Sequence, residues 1–201
     1  MNFFDYFQIA SVLTFLLTVI GRAVYMNVNR GINPIVIGRG KQGFALALEL
    51  LAFAGLIACI VELVSYGIHS EFHVFPSPFN VVLLDAPIFK WIGVVFISIG
   101  LLVFISAFLS FGDSWRVGFD TKTPGALVTN GIFAFTRNPI YLFLDLWFLG
   151  IFLINGRVIF FIFALLAFAN IRWQILQEEQ YLRNLYGQPY EDYCQKTRRY
   201  L

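Results

Sequence analysis

Apolar residues run along this chain in long blocks, parted by short polar stretches rich in Gly, Pro, Asn and Arg. A helix needs about 20 apolar residues to cross roughly 30 Å of hydrocarbon. Residues 6–28, 43–67 and 88–111 meet that length, and each predicts a span. The first is interrupted only by Arg22, and the second carries Glu49 and Glu62. Two further blocks, 139–154 and 157–171, flank the turn dipeptide Asn155-Gly156, which predicts a helical hairpin. The fourth block has 16 residues, about 24 Å of helix, so the hairpin either sits shallow or has a recessed mouth. From Gln174 to Tyr186 the pattern turns amphipathic and predicts a tail helix that leaves the membrane. Gly187 ends that helix, and Pro189 is expected to prevent its resumption. The expected fold is all-α, a single polytopic membrane domain over residues 1–201 with about five spans and the tail helix.

Composition agrees with that reading. The 201 residues are 59% hydrophobic and 13% charged, with a mean hydropathy of +0.74, far from the balance of a soluble domain. A net charge of +2 is too small and dispersed for nucleic-acid binding. Asp5 and a first block long enough to span argue against a cleavable leader. Cys59 falls in a span and Cys194 in the polar tail, so no disulfide between them is expected. Five spans divide the basic residues unequally. One side holds eleven: Arg30, Arg39, Lys41, Arg116, Lys122, Arg137, Arg172, Arg183, Lys196, Arg198 and Arg199. The other side holds two, Lys90 and Arg157. Excess positive charge marks the cytoplasmic side, which predicts an outside N-terminus and a cytoplasmic C-terminus. Trp115 and Arg116, just past the third span, fit an interfacial anchor.

Folding the hairpin at Asn155-Gly156 brings Arg137-Asn138-Pro139 level with Arg172, so both share the cytoplasmic mouth. Glu179 precedes Arg183 by four residues, the favourable order for a helix-surface ion pair. That pairing leaves Glu178 for the mouth. Arg137 and Arg172 either bind an anionic group or anchor helix ends. Tyr141, Phe133 and Trp147 either face a bound cation or pack as core. Asp145 either lines an acceptor pocket or pairs with Arg22. His69 and His73 sit in a proline-containing loop and make a poor metal site.

Four segments carry a resemblance: Leu127-Val128-x-x-Gly131, Arg137-Asn138-Pro139-x-Tyr141, Glu178-Glu179-x-x-Leu182 and Tyr186-Gly187-x-x-Tyr190-x-x-Tyr193. In this order and spacing they resemble the membrane methyltransferase superfamily, which includes isoprenylcysteine carboxyl methyltransferases and phospholipid N-methyltransferases. The resemblance implies S-adenosylmethionine at the cytoplasmic mouth, S-adenosylhomocysteine as product, and a lipophilic methyl acceptor arriving from the bilayer. It implies no metal and no obligate protein partner. Cofactor binding would fall to Leu127, Val128, Gly131, Phe133, Arg137, Asn138, Pro139, Tyr141, Glu178 and Glu179, within segments 112–141 and 172–199. Catalytic roles would fall to Glu178, Arg172 and Asn138. The chain departs from the familiar pattern at Asn138, where His is usual, and at Gln174, where isoprenylcysteine-type enzymes tend to place Arg. Positioning alone can supply ~7–11 kcal/mol to a transfer whose methyl group is already activated. Two other readings stay open: an NADPH-dependent membrane enzyme similar to steroid reductases, and a catalytically silent scaffold of the same fold.

Overall fold

The computed structural model describes residues 1–31, 33–35, 42–112 and 126–200. Arg39, Lys41, Trp115, Arg116, Lys122 and Gly125 lie outside the described residues. Six helices appear among the described residues: α1 (Phe3–Arg30), α2 (Gly43–Gly67), α3 (Pro87–Phe111), α4 (Pro139–Asn155), α5 (Val158–Tyr186) and α6 (Gln188–Lys196). Four of these, α1, α2, α3 and α5, are long and apolar enough to cross a membrane, while α4 is a shorter apolar helix of 17 residues. The protein is an all-α polytopic membrane protein.

Apolar blocks locate the helices but not their ends. Helix α1 begins before residue 6 because Asn2 caps it. The Asn2 Oδ1 accepts the Phe4 and Asp5 amides at 2.9 and 3.1 Å, and Asp5 returns the bond to the Asn2 amide. The fifth block and the tail helix are one element: α5 runs unbroken for 29 residues, about 44 Å, well beyond a hydrocarbon core of roughly 30 Å. Its sequence contains neither Gly nor Pro, so nothing interrupts the ladder where membrane gives way to water. The expected stop at Pro189 is corrected. Helix α6 starts at Gln188 with the proline in its first turn, where a missing N–H leaves no bond unmade.

The shortest of the apolar helices is the most buried. Helix α4 contributes Phe143, Trp147, Phe148, Gly150, Ile151, Phe152 and Ile154 to the interior, and it lies tightly against α3. A methyl group at Gly93 would stand 2.6 Å from the Gly150 carbonyl oxygen, and one at Gly150 would stand 2.8 Å from that of Gly93. Small residues let helix backbones approach inside a membrane, where apolar side chains gain little by leaving lipid. One turn or more nearer the mouth, the Phe104 and Phe143 rings stack at 4.4 Å. Helix α2 takes the lipid-facing role instead, exposing Phe44, Leu50, Leu51, Phe53 and Ile57.

The ends of the bundle differ. At the turn end, Gly156 takes a left-handed φ of 63° to close the α4–α5 hairpin, and its carbonyl accepts the Leu83 and Leu84 amides. Arg157 donates to the Asn80 carbonyl at 2.7 Å and lies over the Tyr66 ring. Asn155 reaches Gln8 on α1. His69 meets Asp5 and His73 meets Glu62, each at 3.2 Å, so the two histidines point to different partners. The opposite end is the mouth.

Candidate functional site

The mouth is assembled from the start of α4, the protruding third of α5, helix α6 and residues 197–200. Gly131 opens a short 3-10 turn, Gly131–Ala134, that brings the chain to Thr136 and Arg137. Residues 197–200 then run beside it. Thr136 and Arg198 form a parallel bridge, and the Arg137 amide donates to the Arg198 carbonyl at 2.9 Å. The Thr136 hydroxyl and the Asn138 side-chain amide both donate to the Arg199 carbonyl, at 3.2 and 3.0 Å. Tyr193 of α6 donates its hydroxyl to the Phe133 carbonyl at 2.6 Å. Burial pushes the Tyr193 phenol up to about 12, so it remains a donor across the neutral range.

At the centre stands Glu179, only 2% exposed. Its Oε1 accepts from Arg137 Nη2 at 3.0 Å and from Arg199 Nε at 2.9 Å, and its Oε2 accepts from Arg199 Nη2 at 2.6 Å. Arg137 spends its other terminal nitrogen on the Cys194 and Thr197 carbonyls, each at 2.9 Å. The bond to Glu179 raises the Arg199 guanidinium above its ordinary value. Two guanidinium groups against one carboxylate leave the cluster with one excess positive charge. This geometry corrects the expected Glu179–Arg183 surface pair. Arg183 instead meets Glu191 of α6 at 3.1 Å in solvent. Glu179 follows Ile171 and Ile175 along the buried stripe of α5, and that spacing of four is the helix face.

Glu178, one residue round, is half-buried and hydrogen-bonds the Tyr141 phenol, with Glu49 of α2 close enough to act on the same ring electrostatically. Asp145 does not pair with Arg22. Its Oδ2 accepts the Tyr200 hydroxyl at 2.9 Å, while among the described residues its buried Oδ1 has no partner, nor has the Nε of Arg137. Arg172 is exposed and lies close enough to Tyr200 to act on its phenol. Burial, and next the neighbouring Asp145, push that phenol upward.

The remaining expected residues take different places. Leu127 and Val128 are half-buried ahead of the turn. The Phe133 ring is buried edge-on against Phe111 at 4.6 Å. Pro139 is buried in the first turn of α4. Trp147 lies deep in the bundle, its indole N–H on Ser11 at 3.3 Å, away from the mouth. Asn138 commits its amide to the Arg199 backbone. Arg199 and Tyr200 had no local sequence signal beyond a basic tail. Tyr190 and Tyr193 did, being three apart and both buried on the short helix α6.

The mouth thus presents fixed cations beside carboxylates, with unpartnered buried atoms of both signs. An amphoteric ligand with a carboxylate and a cationic centre fits that donor set. Residues 88–189 match a family model described as phospholipid methyltransferase. The matched stretch runs from α3 to the start of α6 and contains Arg137, Asn138, Glu178 and Glu179. A curated protein of Schizosaccharomyces pombe (strain 972 / ATCC 24843), protein-S-isoprenylcysteine O-methyltransferase, is 30% identical over 105 residues. The aligned part is 51% of this chain and 44% of that protein, so the chain spans less than half the length of that relative.

Proposed function

Because the chain belongs to the phospholipid methyltransferase family, we propose that it transfers a methyl group from S-adenosylmethionine to a lipophilic acceptor at the mouth of the bundle. The observation that carries this reading is the meeting of Arg137 and Glu179 at 3.0 Å, inside the matched stretch, where α4 and α5 open. When bound, S-adenosylmethionine supplies a methyl group activated by its sulfonium. The chain's own work is then positioning and charge placement. Arg137 and Arg199 hold Glu179 ionised and immobile. Glu178 and Tyr141 form the anionic, aromatic side of the mouth, suited to a cationic centre. Arg172, exposed beside Tyr200, is the cation left to meet the ligand's carboxylate. Leu127, Val128, Gly131, Phe133 and Pro139 shape the wall. Asn138 holds the Arg199 backbone, so no side chain there titrates near neutral pH. The acceptor comes from the bilayer, with a prenylcysteine carboxylate, a lipid amine and a hydrophobic thiol as the chemical classes to try.

The same reading makes residues 1–201 one domain with the mouth in the cytoplasm and the N-terminus outside. Cysteines introduced at His73 and Gln195 test this in intact cells. An impermeant maleimide should label position 73 alone, and labelling at 195 reverses the orientation. Calorimetric titration of detergent-purified protein tests the cofactor. S-adenosylhomocysteine should bind and raise Tm. Neither heat nor stabilisation at millimolar ligand rejects the reading, and stabilisation by NADP instead replaces it with a reductase.

A further inference from the structure

A cavity of about 390 Å³ lies between α1 and α3 at the mouth end, lined by Thr18, Gly21, Arg22 and Tyr25 from one helix and by residues such as Ile105 and Leu109 from the other. It opens sideways to the bilayer, for Leu109 is 81% exposed. Arg22 follows Phe3, the first residue of α1, by a helix rise of ~29 Å, about one hydrocarbon thickness. That rise carries Arg22 to the mouth end of α1. A snorkelling arginine would carry its head out to water. Here it turns inward: Nη2 donates to the Gly112 carbonyl, the Tyr25 ring lies 5.4 Å from Cζ, and among the described residues the buried Nε has no partner. Carbonyl and ring are both neutral, and among the described residues no carboxylate pairs with Arg22. Among the described residues, therefore, a full positive charge lines an apolar groove with an unused N–H.

We propose that this groove binds the phosphate of an anionic phospholipid, one acyl chain lying along Ile105 and Leu109. A guanidinium fork matches phosphate geometry, and a net anion neutralises what the groove leaves uncompensated. Gly21 leaves room beside it, since a methyl group there would meet nothing within 4 Å. The residues that line the groove are not among those assigned to the methyl-transfer site, and the proposal does not depend on that reading.

Native mass spectrometry of the full chain, extracted in mild detergent with added phosphatidylglycerol or phosphatidylcholine of the same acyl chains, tests the proposal. One phosphatidylglycerol should be retained, with about tenfold preference over phosphatidylcholine, which is about 1.4 kcal/mol. Inorganic phosphate at the same concentration should not displace it, because the acyl chain is part of what is held. Arg22→Gln should abolish the preference. Gly21→Leu fills the groove and favours helix, so it should lose the lipid with its Tm retained. Equal retention of both lipids, displacement by free phosphate, or an unchanged preference in Arg22→Gln each overturns the proposal. Asp113, next to Gly112, lies outside the described residues, and Asp113→Asn should leave retention as it was. Increased retention would make Asp113 the partner of Arg22 and remove the reason for a lipid anion.

Discussion

Glu62 at the turn end and Asp145 towards the mouth are both carboxylates inside a membrane bundle, and their surroundings differ. Glu62 is fully buried, yet one oxygen accepts the Val74 amide at 2.7 Å and the other meets His73. Asp145 has one oxygen on Tyr200 and, among the described residues, no partner for the other. The contrast extends to the ends themselves. Among the described residues, the buried side-chain atoms without a hydrogen-bond partner are Arg22 Nε, Arg137 Nε, Asp145 Oδ1 and Asn170 Oδ1. All four belong to the mouth half. A buried polar atom left unbonded costs ~1–3 kcal/mol, and a folded protein keeps few of them. Among the described residues, the turn end leaves no such atom and the mouth half leaves four, so the two ends differ in how fully their buried polar groups are bonded.

The largest test of that division is Glu179→Gln. Removing the charge leaves Arg137 and Arg199 facing each other, so stability should fall by ~3–5 kcal/mol, as for other broken buried pairs. Methyl transfer into extracted lipid should fall at least ~100-fold, whereas Glu178→Gln, losing one charge-assisted bond, should cost about tenfold. A larger loss at Glu178 would move the working face of α5. Next comes Gly156→Val at the turn end. The left-handed backbone alone should cost ~1–3 kcal/mol, and the Leu84 carbonyl oxygen, 1.7 Å from the new Cβ, adds to it. Thermal melts should show the loss while calorimetry finds S-adenosylhomocysteine affinity unchanged. A weakened affinity would erase the distinction between the ends. Asp145→Asn should be milder and opposite in kind: turnover down about tenfold for one lost charge-assisted contact, with Tm hardly altered because Asn still accepts from Tyr200. The smallest effect belongs to Arg183→Ala, which breaks only the exposed pair with Glu191 and should change stability by ~0.2–1 kcal/mol.

Much of this was legible in the sequence because hydrophobic periods and turn residues act locally. The limits of α2 and the hairpin at Asn155-Gly156 follow from composition and from glycine's left-handed freedom. Family membership followed from spaced motifs, each short. The phase of the glutamate pair did not follow. A four-residue Glu–Arg spacing favours a surface pair by only ~0.2–0.5 kcal/mol, and two guanidinium groups arriving from Arg137 and Arg199 outweigh it. Those partners lie 42 and 20 residues away, beyond any local pattern. Tyr200 was equally hidden, since its meaning depends on reaching a residue 55 positions earlier. Proline is ambiguous for a different reason: it breaks a helix from inside but starts one from the first turn, where Pro189 stands in α6.

The parallel bridge between Thr136 and Arg198 also bears on how the protein is made. Residues 197–200 leave the ribosome after every helix of the bundle, so α1 to α5 can be inserted and packed before Glu179 meets Arg199. Until then Glu179 has one guanidinium instead of two, Asp145 has no phenol, and the mouth lacks a wall. A chain ending at Lys196 would keep α1 to α6 but lose the Arg199 guanidinium from Glu179 and the Tyr200 phenol from Asp145.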